Sequence, residues 1–297
     1  MVKIRNLKKS YKGFPVLRGL CMDINNGDVY GFLGRNGCGK TTTMNIICDI
    51  IPKDEGEITL GDSPESKVTI GYLPESPMIF GYMTAREYLE YIAACNEYEG
   101  DIKKRTNEVL DIIGLTNSAD RRTKGFSRGM TQRLGIGAAI FRNPDLLIFD
   151  EPTSALDPQG RMEVVDIINR LKDMGRTIVL STHILSDVER VANRIGIING
   201  GFLAEEGDLK DILKKYGGDV ISLSVRNLTQ ENKIALLKVD FARAEYNDQT
   251  GIFRFGADNA EDAAKRLMKL LADNEMIVDS FQIGTATLEE VFKKVVE

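Results

Sequence analysis

Apolar and polar positions alternate in short runs over the first 33 residues. VKIRNL (2–7), VLRGLCMDI (16–24) and GDVYGFL (27–33) are rich in β-branched and apolar residues and are broken by GFP and NNG turns, which predicts three strands. The third strand runs directly into GRNGCGKTT (34–42), and the apolar segment MNIICDII (44–51) behind it predicts a helix. Strand, glycine-rich loop and helix therefore follow one another without a gap.

The period then becomes helical. Thr84 stands three residues before Glu87, the spacing of a capping box, and Tyr88, Leu89, Tyr91 and Ile92 fall on one helical face. A second helix over about 101–113 stops at Gly114, and a third carries QRLGIGAAIF behind FSRGM. DLLIFDE (145–151) and RTIVLST (176–182) are unbroken apolar runs, the pattern of strands buried on both faces of a parallel sheet. Between them, 158–174 predicts a helix with Met162, Val165, Ile168 and Leu171 on its buried face. Strand, helix, strand implies a right-handed crossover. RIGIINGGFLAEEG (194–207) predicts a hairpin around its Gly-Gly pair.

Composition breaks near Lys214-Lys215-Tyr216-Gly217-Gly218. The remaining residues read β-α-β-β-α-β-α, with helix starts expected at Thr229, at Asp258 with Glu261, and at Thr287 with Glu290. The first six of these elements follow the split βαβ, ferredoxin-like order. The expectation is an α/β chain of two domains, 1–218 and a small α+β domain, 219–297. Leu288, Val291, Phe292 and Val295 make an apolar stripe on the last helix. That stripe either covers the tail's own sheet or helps two chains dimerise.

Composition narrows the class. The chain has 297 residues, 42% hydrophobic and 28% charged, enough to bury a core. Its longest uncharged apolar stretch is LGIGAAIF (134–141), far short of the roughly 20 residues that span a bilayer. The N-terminus, MVKIRNLKKS, has no apolar signal core, so a cytoplasmic location is expected. Four cysteines without a CxxC pair argue against a disulfide framework or a cysteine zinc site, and a single histidine excludes His-rich metal chemistry. Net charge is −5, and the segment 219–297 carries 10 basic and 14 acidic residues, which speaks against nucleic acid as a partner.

GRNGCGKTT fits the phosphate-loop pattern G-x-x-x-x-G-K-[ST]. Gly34, Gly37 and Gly39 let backbone N–H groups curl around an anion at a helix N-terminus, with Asn36 and Cys38 between them. Lys40 is placed to reach the β- and γ-phosphates of a nucleotide. Thr41, followed by Thr42, can set a hydroxyl on Mg²⁺. Cys38, beside Lys40 and a helix start, is expected to favour thiolate. LLIFDEP (146–152) is an apolar strand ending in two carboxylates. Asp150 fits a Mg²⁺-organising aspartate and Glu151 a general base for an attacking water.

The block FSRGMTQRLGIGAAIFRNPDLLIFDEPTSALD (126–157) closely resembles the signature-to-Walker-B block of ATP-binding cassette (ABC) proteins, and the resemblance extends over 1–218. It implies a P-loop ABC nucleotide-binding domain with a parallel sheet core, an antiparallel β subdomain and a helical subdomain. By the same resemblance, Tyr11 stacks on adenine, Ser127 and Gly129 are signature residues, Ser154–Asp157 is the D-loop and His183 is the switch histidine. Arg128 and Met130 depart from the usual LSGGQ. GYLPES puts Glu75 where the family usually has a glutamine that touches Mg²⁺ and the membrane partner. Three carboxylates, Glu75, Asp150 and Glu151, are then expected around one ion.

The family's mechanism implies ATP and Mg²⁺ enclosed between two cassettes, so this chain pairs with itself or with a related ATPase. It also implies a separate transmembrane permease, docked between Glu75 and Ser127, and a peripheral place on the cytoplasmic face of the membrane. TLEEVFKKVVE resembles the C-terminal extension of export-type ABC ATPases. The alternative is a soluble ABC ATPase of translation or DNA maintenance. Such members hold two cassettes or a long insertion, and the 86 residues between Lys40 and Ser127 contain neither.

Overall fold

The computed structural model describes residues 1–61, 67–217, 219–239, 241, 243–257 and 259–296. It divides the chain into two compact units, Met1–Leu209 and Lys210–Glu297. The second unit opens earlier than the expected residue 219, because a helix that begins at Leu209 runs on through 210–217 and groups with the tail.

In the first unit, β1 (Val2–Tyr11) pairs antiparallel with β2 (Phe14–Ile24). Their turn is Lys12-Gly13, with φ of 49° and 83°, the positive pair that a two-residue hairpin of right-handed twist requires. β3 (Val29–Leu33) is buried at every position and leads through the glycine loop into α1 (Lys40–Ile47). The helix thus starts at Lys40 itself, earlier than its apolar residues indicated. β4 (Glu55–Leu60) completes a three-stranded sheet of order β2-β1-β4.

β5 (Ile70–Leu73) is followed by α2 (Ala85–Cys95), α3 (Ile102–Ile112) and α4 (Arg128–Ile140). Thr84 and Glu87 form both halves of the expected capping box, and α3 matches the expected helix over about 101–113, with Asp101 as its cap. α4 begins at Arg128, inside the FSRGM segment it was expected to follow, because the Ser127 side chain accepts from the Met130 N–H and caps it there. Gly114 follows α3 with φ of 64°. On α2, Tyr88 and Leu89 are buried as expected, but Tyr91 stays exposed and Ile92 half-buried.

Then come β6 (Leu146–Asp150), α5 (Pro158–Asp173), β7 (Thr177–Thr182), α6 (Leu185–Val191), β8 (Arg194–Asn199) and β9 (Phe202–Asp208). They build a six-stranded sheet of order β5-β6-β7-β3-β8-β9, parallel except for the β8–β9 hairpin. The buried face of α5 is Val164, Val165, Ile167, Ile168 and Leu171, and Met162 is exposed, against expectation. Each i+3 step falls about 60° short of a full turn at ~100° per residue, so Met162 and Leu171 end on opposite sides of the helix. One buried cluster joins Ile4 and Leu7 of β1, Leu17 and Leu20 of β2, Phe32 of β3, Met44 of α1 and Ile148 of β6. It locks the helix behind the glycine loop between the two sheets.

The order of the large sheet sets up the site. β3 lies beside β7, and β7 beside β6, all parallel. Their C-terminal ends therefore share one edge, where ligands of open α/β sheets bind.

The second unit contains α7 (Leu209–Gly217), β10 (Asp219–Arg226), α8 (Gln230–Leu237), β11 (Arg243–Asn247), β12 (Ile252–Ala257), α9 (Ala260–Asp273), β13 (Ile277–Thr285) and α10 (Leu288–Val296). Its sheet has the order β11-β12-β10-β13 and is antiparallel throughout, as the ferredoxin-like reading requires. Ile221, Leu223, Phe253, Phe255 and Leu267 form its core. α9 is capped by Asn259, which accepts from the N–H groups of Glu261 and Asp262. The expected cap, Asp258, lies outside the described residues. Thr287 and Glu290 bond one another's backbone reciprocally at the start of α10. Leu288 and Val291 of the apolar stripe are fully buried, Phe292 and Val295 half-buried. Arg254 of β12 donates to Glu290 at 2.7 Å, which ties α10 to the tail's own sheet.

Candidate active site

The glycine loop closes tightly on itself. A Cβ at Gly34 would stand 2.5 Å from Cys38 Sγ and 2.8 Å from the Ile198 carbonyl oxygen, so no side chain fits there. Gly39 caps α1 with φ of 110°, and a Cβ there would meet Leu17 at 2.7 Å. These two positions let the chain leave β3, turn and enter α1 with the first N–H groups of the helix facing the cleft. No acidic side chain stands in the first turn of α1 to neutralise that end.

Lys40 is buried, with its side chain 7% exposed. Its ammonium donates to the Gly34 carbonyl at 2.9 Å and stands 3.5 Å from Glu151 Oε1. Thr43 Oγ1 donates back to the Gly39 carbonyl at 2.9 Å, stiffening the first turn.

β6 delivers the two carboxylates differently. Asp150 ends the strand, buried, and accepts a hydrogen bond from Ser181 Oγ on β7. Glu151 has φ of 49°, a left-handed backbone that a non-glycine residue adopts only under constraint. The constraint is visible: its N–H donates to the Ser181 carbonyl at 3.0 Å and to Ser181 Oγ at 3.1 Å. The turn swings the Glu151 carboxylate toward Lys40. On the other side, His183 Nδ1 lies 2.9 Å from Glu151 Oε2. An ionised carboxylate only accepts, so the ring's Nδ1–H donates. His183 is about half exposed at the cleft mouth, and Glu151 is only 9% exposed.

These groups border one cleft of about 490 Å³, lined by Val16, Asn36, Gly37, Gly39, Lys40, Thr41, Thr42, Glu75, Glu151, Ser154 and His183. Three segments far apart in sequence converge there: the glycine loop after β3, Glu151 with Ser154 after β6, and His183 after β7. The donor set suits a polyphosphate: helix N–H groups, an ammonium and two hydroxyls at one end, a carboxylate with its imidazole at the other.

Other expected residues stand elsewhere. Tyr11 is at the end of β1, 45% exposed, beyond the cleft lining, with the Lys9 ammonium 5.6 Å from its ring centroid. Ser127 and Gly129 sit at the start of α4 and do not line the cleft either. Glu75 is an exposed residue on the cleft wall. Among the described residues no group of three or more His, Cys, Asp and Glu is gathered to hold a metal, so the expected three-carboxylate cluster is not assembled.

The thiolate expectation for Cys38 is overturned. Burial pushes its thiol up, and the nearby Lys40 only partly offsets that. The side chain packs against the core cluster instead of facing the phosphate side. Ser181 is the residue that sequence reasoning missed. Its signal was present, a hydroxyl next to the last residue of an otherwise apolar strand, but only strand pairing shows that it faces Asp150.

The family described as "ABC transporter" matches residues 17–154, and "ATP-binding protein DrrA1-3-like, C-terminal domain" matches 207–296. The bacitracin transport ATP-binding protein of Bacillus licheniformis is 35% identical over 306 residues, spanning 100% of this chain and 97% of that protein. The linearmycin resistance ATP-binding protein of Bacillus subtilis is 34% identical over 258 residues, 84% of this chain and 82% of that protein. Among solved structures, a dimeric ATP-binding cassette in a post-hydrolysis state bound to ADP and Pi matches with a TM-score of 0.63 and 26% identity, over 70% of this chain and 99% of that one. With the glycine cradle, the paired carboxylates and the histidine converging on one sheet edge, and the bacitracin relative matched from end to end, the chain belongs to the ATP-binding proteins of the ABC transporter family.

Proposed function

We propose that this protein is the ATP-hydrolysing subunit of an ABC exporter and drives a separate membrane-spanning permease. The observation that carries the reading is the position of Glu151, held between Lys40 and His183 at the mouth of the glycine cradle. The loop N–H groups and Lys40 bind the nucleotide's phosphates. Lys40 then exchanges Glu151 for phosphate oxygen, which frees Oε1 to accept a proton from a water aimed at the terminal phosphorus. His183 holds Oε2 and so fixes the carboxylate plane. Ser181 fixes Asp150. Mg²⁺, when bound, would neutralise phosphate charge, and the Thr41 hydroxyl and the Asp150 carboxylate are the oxygens suited to hold it, with Glu75 on the adjoining wall.

Ser127 and Gly129 lie outside the cleft of their own chain. That supports a role toward the nucleotide of a second cassette, and pairing of this chain with itself or a related ATPase. No helix of the described residues is long and apolar enough to cross a membrane. The path of the cargo then belongs to the permease, and the cassette sits at the cytoplasmic membrane face. Met78, Phe80, Tyr82 and Tyr91 expose a cluster of large apolar and aromatic side chains beside α2, a surface suited to a permease segment. The relatives named for bacitracin transport and linearmycin resistance favour export of an antibiotic-type compound over a soluble translation or DNA role.

Purified full-length chain should hydrolyse MgATP, and the tagged chain should co-purify from membranes with one polytopic membrane protein. Absence of hydrolysis with intact ATP binding, or recovery only with ribosomes or DNA, would overturn the proposal.

A further inference from the structure

Helices α3 and α4 are each finished by an arginine of the other. Neither has a basic residue in its own last turn, where donors would satisfy the orphan carbonyls. Arg105 of α3, its side chain 14% exposed, donates to the Ile140 and Phe141 carbonyls at the end of α4, both at 2.8 Å. Arg133 of α4, 13% exposed, donates to the Ile113 and Gly114 carbonyls that follow α3, at 3.3 and 3.1 Å. The other terminal nitrogen of Arg133 stands 3.3 Å from Glu163 of α5. One guanidinium thus joins three helices.

The contact with α5 is repeated one turn nearer the start of α4. A Cβ on Gly129 would stand 3.6 Å from Gly160 Cα. Gly129 and Arg133 share one face of α4, and Gly160 and Glu163 share one face of α5, by the i, i+4 and i, i+3 spacings. The first two turns of α4 therefore rest on α5, close at the glycines and held by charge at Arg133. Ser127, the cap of α4, lies about 9 Å along the axis from Arg133 at ~1.5 Å per residue.

We infer that Arg133 is a positioning residue for the nucleotide of the neighbouring cassette: by its hold on α5 and on the end of α3 it sets where Ser127 and the first N–H groups of α4 point. This deepens the proposed pairing of two cassettes and rests on it. Lys40 and Glu151 serve the nucleotide bound to their own chain. Loss of Arg133 instead leaves its own cleft intact and spoils the site that the chain completes on its partner.

The test uses full-length chains carrying Arg133→Met, which removes the charge and the donors, or Glu151→Gln. Arg133→Met should bind MgATP within about twofold of wild type while kcat falls about ten- to a hundredfold, the scale of a group misplaced from far off. Arg133→Lys keeps a charge beside Glu163 but loses the fork that reaches both carbonyls, so it should recover part of that loss. Mixing shows in which chain the residue acts. In a dimer of one Arg133→Met chain and one Glu151→Gln chain, the site on the first has its own base and an undisturbed α4 from its partner. An equimolar mixture should therefore regain hydrolysis, toward about a quarter of the wild-type rate, since half of the dimers are mixed and each holds one sound site of two. A mixture no more active than the sum of its parts would place the effect of Arg133 in its own chain and overturn the inference, as would wild-type kcat in Arg133→Met. Should Arg133→Met lose MgATP binding, Glu163→Gln takes its place in the mixing, with the same two outcomes. Glu151→Gln chains that stay monomeric with MgATP by light scattering would overturn the pairing itself, and the inference with it.

Discussion

Lys40 and Glu151 face each other across the cleft at 3.5 Å, both almost fully buried. One oxygen of Glu151 meets this ammonium and the other meets His183. A buried charge pair of this kind is costly to leave half-made. An arriving phosphate takes over the lysine, and the glutamate is left with its histidine and a free oxygen. Glu151→Gln keeps the shape but cannot accept a proton. We predict that it binds MgATP with near wild-type affinity and hydrolyses it at least a hundredfold more slowly, a loss of about 2.7 kcal/mol or more at ~1.36 kcal/mol per tenfold. Single-turnover hydrolysis beside nucleotide titration checks this. Turnover within tenfold of wild type would dismiss Glu151 as the base. Lys40→Ala should fail earlier, at binding.

His183 acts through Glu151, so its effect should depend on Glu151. His183→Ala should lower kcat about ten- to a hundredfold with little change in nucleotide affinity, the range of one orienting acid–base partner. In a Glu151→Gln background the same change should add almost nothing, because groups acting as one unit are not additive. A full additional loss in the double variant would show that the ring acts independently, on the phosphate itself.

Ser181 ties both carboxylate positions to β7 through one buried hydroxyl. Ser181→Ala removes the donor to Asp150 and leaves a buried carboxylate oxygen without it. The expected cost is about 1–3 kcal/mol of stability, the penalty of a buried group stripped of its partner. Hydrolysis should fall as well, since the strained backbone of Glu151 loses one of its two acceptors. Ser181→Thr keeps the hydroxyl and should restore activity if the added methyl is accommodated. Denaturant melts and steady-state rates on the two variants check the pair. Unchanged stability in the alanine variant would make the hydroxyl contact incidental.

Most of the fold was legible because its signals are local. Thr84 with Glu87 marks a helix start by side-chain capping and Gly114 marks a helix end by its left-handed backbone, and neither needs tertiary context. The converging loop, carboxylates and histidine were legible because each ends an apolar strand, and parallel strands of one sheet bring such ends together. What depended on long-range packing was hidden. Met162 needed the width of the α5 contact face, and β4 and α6 are short and carry mixed patterns. The facing of Ser181 needed the β6–β7 register. Cys38 needed a burial depth that outweighs the charge next to it in sequence.

Cys38 yields a reactivity prediction opposite in sign to the sequence reading. Alkylation runs through the thiolate, and burial holds this thiol protonated beyond the ordinary cysteine range. Cys48 is pushed further, to about 12, by burial and by Asp150. Cys21 and Cys95 are exposed. At pH 7 a maleimide should label Cys21 and Cys95 first and leave ATP binding intact. Labelling of Cys38 should grow as pH rises, since the thiolate fraction increases tenfold per unit below the pKa. Peptide mapping by mass spectrometry at pH 7 and pH 9 checks the order. Cys38 labelled first at pH 7 would restore the thiolate reading.

Behind the histidine, Arg161 of α5 donates to both oxygens of Asp187 on α6, at 2.9 and 3.4 Å. Asp187 is buried, with its side chain 8% exposed, and Arg161 is 31% exposed. The forked geometry fixes direction as well as distance. It links the first turn of α6, which follows His183 directly, to the first turns of α5, which follow Ser154–Asp157. Asp187→Asn keeps volume and loses the charge, leaving the guanidinium half-paired. We predict a stability loss of about 1.5–3 kcal/mol, as for a hydrogen bond to a charged group. Loosening α6 should also let His183 drift from Glu151, lowering kcat while nucleotide affinity holds. Arg161→Ala should do the same, and the double variant Arg161→Ala with Asp187→Ala should cost less than the sum of the two single alanine variants, because each single change strands the other's partner. Additive losses across that cycle would mean that the two side chains act separately, and that the α5–α6 link does not position the histidine.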